Sequence, residues 1–128
     1  MKRIKEKNFR LMKRLQELLK PERIKLEELL KNKSKFDFPA VYVFSKPNSK
    51  RVIYAGRTKT IPFWKRMKHH KSINKGSDLN IMIKGKVGYP QKVGEYGVRY
   101  LKMKDSRERM FFENFIIGIL QPELNKHG

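Results

Sequence analysis

Val41-Tyr42-Val43-Phe44, then Ser45-Lys46-Pro47-Asn48-Ser49-Lys50, then Val52-Ile53-Tyr54-Ala55-Gly56-Arg57, set two runs of β-branched and aromatic residues either side of a cluster of turn formers. β-branched and aromatic side chains suit a pleated surface, and Pro, Asn and Ser favour chain reversal, so residues 36–56 are expected to form a β-hairpin. A turn centred on Asn48 puts Tyr42 directly opposite Tyr54 on one face of the hairpin. A shift of half a residue would send the two rings to opposite faces.

Outward from the hairpin the periodicity changes to that of a helix. On the N-terminal side, Ile4, Asn8, Leu11, Leu15, Leu18 and Leu19 recur at three- and four-residue steps among Lys and Arg. Pro21 interrupts this pattern and suits the first turn of a second helix, Pro21 to Asn32. Residues 1–35 are therefore expected as a helical extension to a main module spanning 36–128. With 13 Lys or Arg against 5 Glu, that extension is either a packing cover for the core or a basic arm.

On the C-terminal side, Thr60 reads as an N-cap, with Pro62 just inside a helix running to about Ile73. Phe63, Arg66, Met67 and His70 share one side of it. Ser77 is expected to cap a further helical stretch to Lys84. An edge-like strand follows at Lys92 to Met103, where Tyr96, Val98 and Tyr100 alternate with Gly97 and Arg99. Asp105 with Glu108 three residues on resembles a capping box opening a last helix to about Leu120, and Pro122 stops it.

The chain has 128 residues, the size of one ordinary domain, and no cysteine, so neither a disulfide framework nor a thiolate metal site is available. A cysteine-free chain fits a reducing cytoplasm. No apolar run is long enough to span a membrane. Charge separates the remaining classes: 32 Lys and Arg stand against 12 Asp and Glu, a net charge of +20. Phe38 to Ser77 holds ten Lys or Arg and no carboxylate. Solvated surfaces normally mix both signs, so this one-signed stretch, with Lys59, Lys65 and Lys68 in it, is expected to track phosphates.

Three side chains stand out chemically. Glu113 lies in a run that is apolar except for itself and Asn114, on a helical face with Met110, Ile116, Ile117 and Leu120. A carboxylate so placed must be paired with a cation or bound to a metal. One carboxylate holds Mg²⁺ weakly, which suffices if phosphate oxygens and waters complete the octahedron. Arg66 and His70, four apart, are neighbours on one helix face. A guanidinium suits a pentacoordinate phosphorus, and an imidazole can move a proton near neutral pH. His69 is expected at the surface, and Trp64 is expected to pack its helix rather than stack on a base.

Taken in order, these groups resemble the GIY-YIG nuclease superfamily over about Pro39 to Asn125. The first motif corresponds to Ala40-Val41-Tyr42 and the second to Tyr54-Ala55-Gly56. They are followed by Arg66 and His70 four apart, Glu113 in an apolar helix, and Asn125 after Pro122. Ala40 and Val41 replace Gly and Ile of the first motif, and Ala55 replaces Ile of the second; all three lie away from the reacting groups. The resemblance implies an α/β fold with a small three-stranded antiparallel sheet flanked by helices. It implies that Tyr42, Tyr54, Arg66, His70 and Glu113 converge on one concave face, with Glu113 holding a single Mg²⁺ or Mn²⁺. One tyrosine prepares water for in-line attack and Arg66 neutralises the phosphorane; either tyrosine fits the role of base. Arg57 would keep a cation near the phosphate and Asn125 would support the site by hydrogen bonds. The implied substrate is double-stranded or branched DNA, cut by a monomer or a homodimer.

Overall fold

The computed structural model describes residues 2–72 and 78–125, with side chains from Lys5 onward. It is a mixed α/β structure in which one antiparallel sheet is covered by helices on both faces. In chain order the elements are α1 (Lys2–Leu19), β1 (Ile24–Lys25), α2 (Leu26–Leu30), β2 (Ala40–Ser45), β3 (Val52–Arg57), α3 (Phe63–Lys71), α4 (Leu79–Ile83), β4 (Gly97–Lys102) and α5 (Ser106–Leu120). Among the described residues no helix is long and apolar enough to cross a membrane.

The sheet has four strands in the order β1-β4-β2-β3, not three. The extra strand comes from the N-terminal segment: Ile24 and Lys25 pair with Val98 and Gly97. This makes β4 an inner strand rather than the edge its sequence suggested, and β4 is shorter than Lys92 to Met103. Pro21, Glu22 and Arg23 are not helical, so the expected helix from Pro21 to Asn32 contracts to α2. The residues taken for its first turn instead lead into β1, because β4 offers backbone partners that an isolated helix turn lacks.

β2 shows why its sequence is a continuous apolar run instead of an alternating one. All six of its residues are buried, since helices cover both faces. Ala40, Tyr42 and Phe44 face one core with Leu26, Leu29, Phe63, Met67, Leu79 and Ile83. Val41 and Val43 face the other, with Leu15 and Leu18 of α1 and Phe112 and Ile116 of α5.

The hairpin register differs from the expected one. Tyr42 pairs with Gly56 and Phe44 with Tyr54, while Ser45 pairs with Val52. The shift between Phe44 and Ser45 is a β-bulge that leaves Ile53 as the extra residue on β3. Tyr42 and Tyr54 therefore share a face as diagonal neighbours, not as a directly opposed pair. Gly56, opposite Tyr42, is what that ring lies across: a Cβ there would come 2.6 Å from Tyr42 Oη.

The remaining boundaries move by a residue or two. Pro62, not Thr60, is the N-cap of α3, and α3 ends at Lys71. Asp78 is the N-cap of α4; the expected cap at Ser77, and Ile73, lie outside the described residues. Asp105 Oδ1 accepts from Glu108 N at 2.9 Å, the first half of the capping box. Gln121 closes α5 in the left-handed conformation, with φ 45°, just before Pro122.

Candidate active site

At the end of the sheet where β3 runs into α3, an open cavity of about 400 Å³ is walled by Tyr42, Tyr54, Arg57, Lys59, Arg66 and Glu113, among others. Each wall comes from a different part of the chain. The tyrosines rise from β2 and β3, Arg57 from the last position of β3, Arg66 from α3 and Glu113 from α5.

Tyr42 is fully buried, and its oxygen lies 2.7 Å from His70 Nε2. His70 is equally buried, and its Nδ1 accepts the backbone N–H of Leu79 at 2.9 Å. An Nδ1 that accepts a hydrogen bond carries no proton, so the neutral ring must carry its proton on Nε2 and donate it to the Tyr42 oxygen. Burial, then the charge of Arg66, holds the His70 pKa well below its ordinary value, which keeps the ring neutral. The charge of Arg66 lies close to both phenols. Burial raises both phenol pKa values, and Arg66 opposes that rise.

Arg66 is itself held by Asp78, whose Oδ1 lies 2.8 Å from Arg66 Nη1. The Asp78 side chain is 1% exposed and makes no capping hydrogen bond to its own helix. Its carboxylate is turned to the neighbouring helix instead. Arg109 on α5 is a second organiser that the sequence reading missed. Buried at 4% exposure, it donates to the carbonyls of Thr58, Met103 and Lys104 at 2.8–3.0 Å, and so anchors the start of the segment between β3 and α3. A signal for Asp78 exists in the sequence: it is the first carboxylate after the acid-free stretch. Arg109 carries no such mark.

Glu113 is paired. Its Oε1 lies 2.5 Å from Arg57 Nη1, and its side chain is 15% exposed. Burial raises its pKa, against the pull of Arg57, Lys59 and Arg66. It flanks, rather than joins, the buried face of α5 formed by Arg109, Phe112 and Ile116; Met110 is exposed. That offset aims the carboxylate at the cavity instead of the core.

Other expected site residues are placed differently. His70 stands behind Tyr42 and does not line the cavity, whereas His69, expected at the surface, does. Lys65 and Lys68 are exposed on α3, outside the cavity wall. Asn125 is consumed by the fold: its Oδ1 accepts from Ala55 N at 2.7 Å and its Nδ2 donates to Ala55 O at 3.0 Å. It thereby mimics a neighbouring strand along the open edge of β3. Trp64 donates from Nε1 to Asp37 at 3.0 Å and packs against the core.

Among the described residues no cluster of three or more His, Asp or Glu could enclose a metal. Glu113 is the carboxylate on the cavity wall, beside two phenol oxygens, in a space roomy enough for waters. This donor set fits Mg²⁺, which keeps much of its hydration and takes one or two carboxylates plus substrate phosphate, better than a metal needing a closed cage. No protein-family model, curated protein or solved structure matches the chain.

Proposed function

We propose that this chain is a divalent-metal-dependent DNA endonuclease of the GIY-YIG type. The observation that carries the reading is the convergence of Tyr42, Tyr54, Arg66 and Glu113 on one cationic cavity, with His70 bonded to Tyr42 from behind.

Between the two phenols the geometry favours Tyr42 as the base. Its oxygen accepts from His70 Nε2–H and lies near the charge of Arg66, and both oppose the rise in phenol pKa that burial imposes. The Tyr42 phenolate takes the proton of a water placed in line with the scissile bond. The water oxygen bonds to phosphorus and the bond to the 3′ oxygen breaks. Arg66, fixed by Asp78, neutralises charge on the non-bridging oxygens. His70 acts as a hydrogen-bond donor and not as a proton acceptor, because the Leu79 amide occupies its other nitrogen. Glu113 would hold Mg²⁺ or Mn²⁺, which supplies charge stabilisation at the phosphate and the leaving oxygen. Arg57 and Lys59 bring the phosphate in. Since Arg57 already binds Glu113, an incoming phosphate competes with that carboxylate for the guanidinium.

Plasmid nicking in Mg²⁺ tests the reading. Arg66→Ala should lower the rate by about 10²–10³-fold, the loss seen when a preorganised donor to a transition-state oxyanion is removed. Glu113→Gln, lacking the carboxylate that would hold the metal, should lower nicking in Mg²⁺ toward the level seen without metal. Equal nicking by wild type and both variants, or by none, would defeat the assignment. The Arg57–Glu113 ion pair favours one other reading, a nucleic-acid-binding module in which that pair is purely structural. It predicts salt-sensitive duplex binding without cleavage, and unchanged Mn²⁺ binding in Glu113→Gln.

A further inference from the structure

At the opposite end of the sheet, around the β2–β3 turn, two arginines donate to carbonyls of the same turn. Arg99 of β4 is 6% exposed and reaches over β2. Its Nη1 donates to Leu19 O at 3.1 Å, and its Nη2 to Lys50 O at 2.6 Å and Ser45 Oγ at 3.3 Å. Arg23, just before β1, donates to the carbonyls of Lys46, Pro47 and Ser49 in the same turn. Among the described residues neither guanidinium has a carboxylate within 4.0 Å. Arg99 Nε is buried with no hydrogen-bond partner.

Carbonyls satisfy donors but do not cancel charge. Two half-desolvated cations side by side repel, and burial together with Arg23 lowers the Arg99 pKa. The cavity of about 270 Å³ between them adds Lys20 and Lys50, so four cations line it against one carboxylate, Glu22. Buried charges in folded proteins are compensated, and among the described residues no carboxylate pairs with either guanidinium. A planar guanidinium fork and flanking ammonium groups match a tetrahedral oxyanion.

We propose that Arg23, Arg99, Lys20 and Lys50 form a phosphate-binding site, separate from the cavity of Tyr42 and Glu113. Its ligand is a phosphate group, carried either by a nucleic-acid backbone or as free inorganic phosphate. The site stands independently of any cleavage chemistry.

The test follows the arginine Nε–H resonances in ¹⁵N–¹H spectra while inorganic phosphate replaces chloride at constant ionic strength. The Arg99 signal should shift saturably in wild type. Lys20→Gln/Lys50→Gln removes two exposed charges whose side chains make no hydrogen bond among the described residues, so thermal unfolding should stay near wild type. Phosphate affinity should fall by roughly tenfold, the size expected for two partly solvated charge contacts. Arg57→Gln/Lys59→Gln, in the other cavity, should leave the Arg99 titration unchanged. A short duplex in EDTA then identifies the source. If the backbone is the ligand, the duplex moves the same resonance, and the lysine double variant lowers the salt slope of binding by about 2. If inorganic phosphate alone moves it, the ligand is a free phosphate. The proposal is overturned if the Arg99 signal does not respond, or responds equally in the lysine double variant. None of these readouts includes a cleavage step, so a negative nicking assay leaves them intact.

Discussion

Tyr42 is a core residue and a cavity wall at once, and Gly56 makes the combination possible. The ring occupies the volume that a side chain at position 56 would fill: a Cβ there would lie 2.6, 2.7 and 2.9 Å from Tyr42 Oη, Cζ and Cε2. Tyr42 is fully buried and cannot swing aside. Gly56→Ala should therefore destabilise the fold by about 1–3 kcal/mol, the cost of overpacking, read from the denaturant midpoint. A midpoint equal to wild type would mean the ring has room to move. His70 gives a second residue-scale prediction. Its folded pKa lies well below the 6.5 of the unfolded chain, so between those values the unfolded state binds more protons. Its contribution is complete above pH 6.5 and is lost as pH falls below it, by up to about 1.4 kcal/mol per pH unit. Unfolding free energies at pH 7.5, 6 and 5 should decline in wild type and decline less in His70→Asn. Parallel curves would remove His70 as the cause.

Among the described residues α3 is joined to α4 by Arg66 to Asp78, by His70 to the Leu79 amide, and by Asn80 Nδ2 donating to Lys71 O at 2.6 Å. α4 has only five residues, too few to persist by its own hydrogen bonds, so its position depends on this docking and on the burial of Leu79 and Ile83. The same docking aims Arg66 and fixes the His70 tautomer. Asp78→Ala should cost about 1–3 kcal/mol, below the range for a fully enclosed pair because Arg66 faces an open cavity where water reaches it. Its nicking rate should fall further than stability explains, while Asp78→Glu recovers part of it. Full activity in Asp78→Ala would show that Arg66 keeps its position without this carboxylate. On the far side of the site, Asn125 closes the edge of β3 through both atoms of its amide, which removes it from the groups free to touch a ligand.

At the scale of the molecule, a net charge of +20 is what remains after all 12 carboxylates are set against the 32 Lys and Arg. Such a surface favours association with a polyanion through counterion release. Duplex binding in EDTA should weaken linearly in log salt, with a slope of about −0.9 for each phosphate neutralised. Arg57→Gln/Lys59→Gln should flatten that slope by up to about 2, with little dependence on base sequence. A slope near zero in wild type would mean the charge serves some other purpose. The N-terminal segment belongs to this whole: α1 packs on one face of the sheet with α5, β1 extends the sheet, and α2 lies in the opposite core.

The local features of this protein were legible in its sequence because their causes are local. Two runs of β-branched and aromatic residues around a Pro-Asn-Ser turn specified the hairpin, and Asp105 three residues before Glu108 specified the start of α5. The acid-free stretch marked where cations gather, and the isolation of Glu113 among apolar residues showed that it required a partner. What tertiary structure alone decided was the identity of partners distant in the chain. Arg57 and Glu113 are 56 positions apart, and Asn125 and Ala55 are 70 apart. No periodicity reports a contact made by strands and helices closing around a shared core. The fourth strand was hidden for the same reason: two residues carry no pattern of their own, and they became a strand only because β4 offered its backbone beside them.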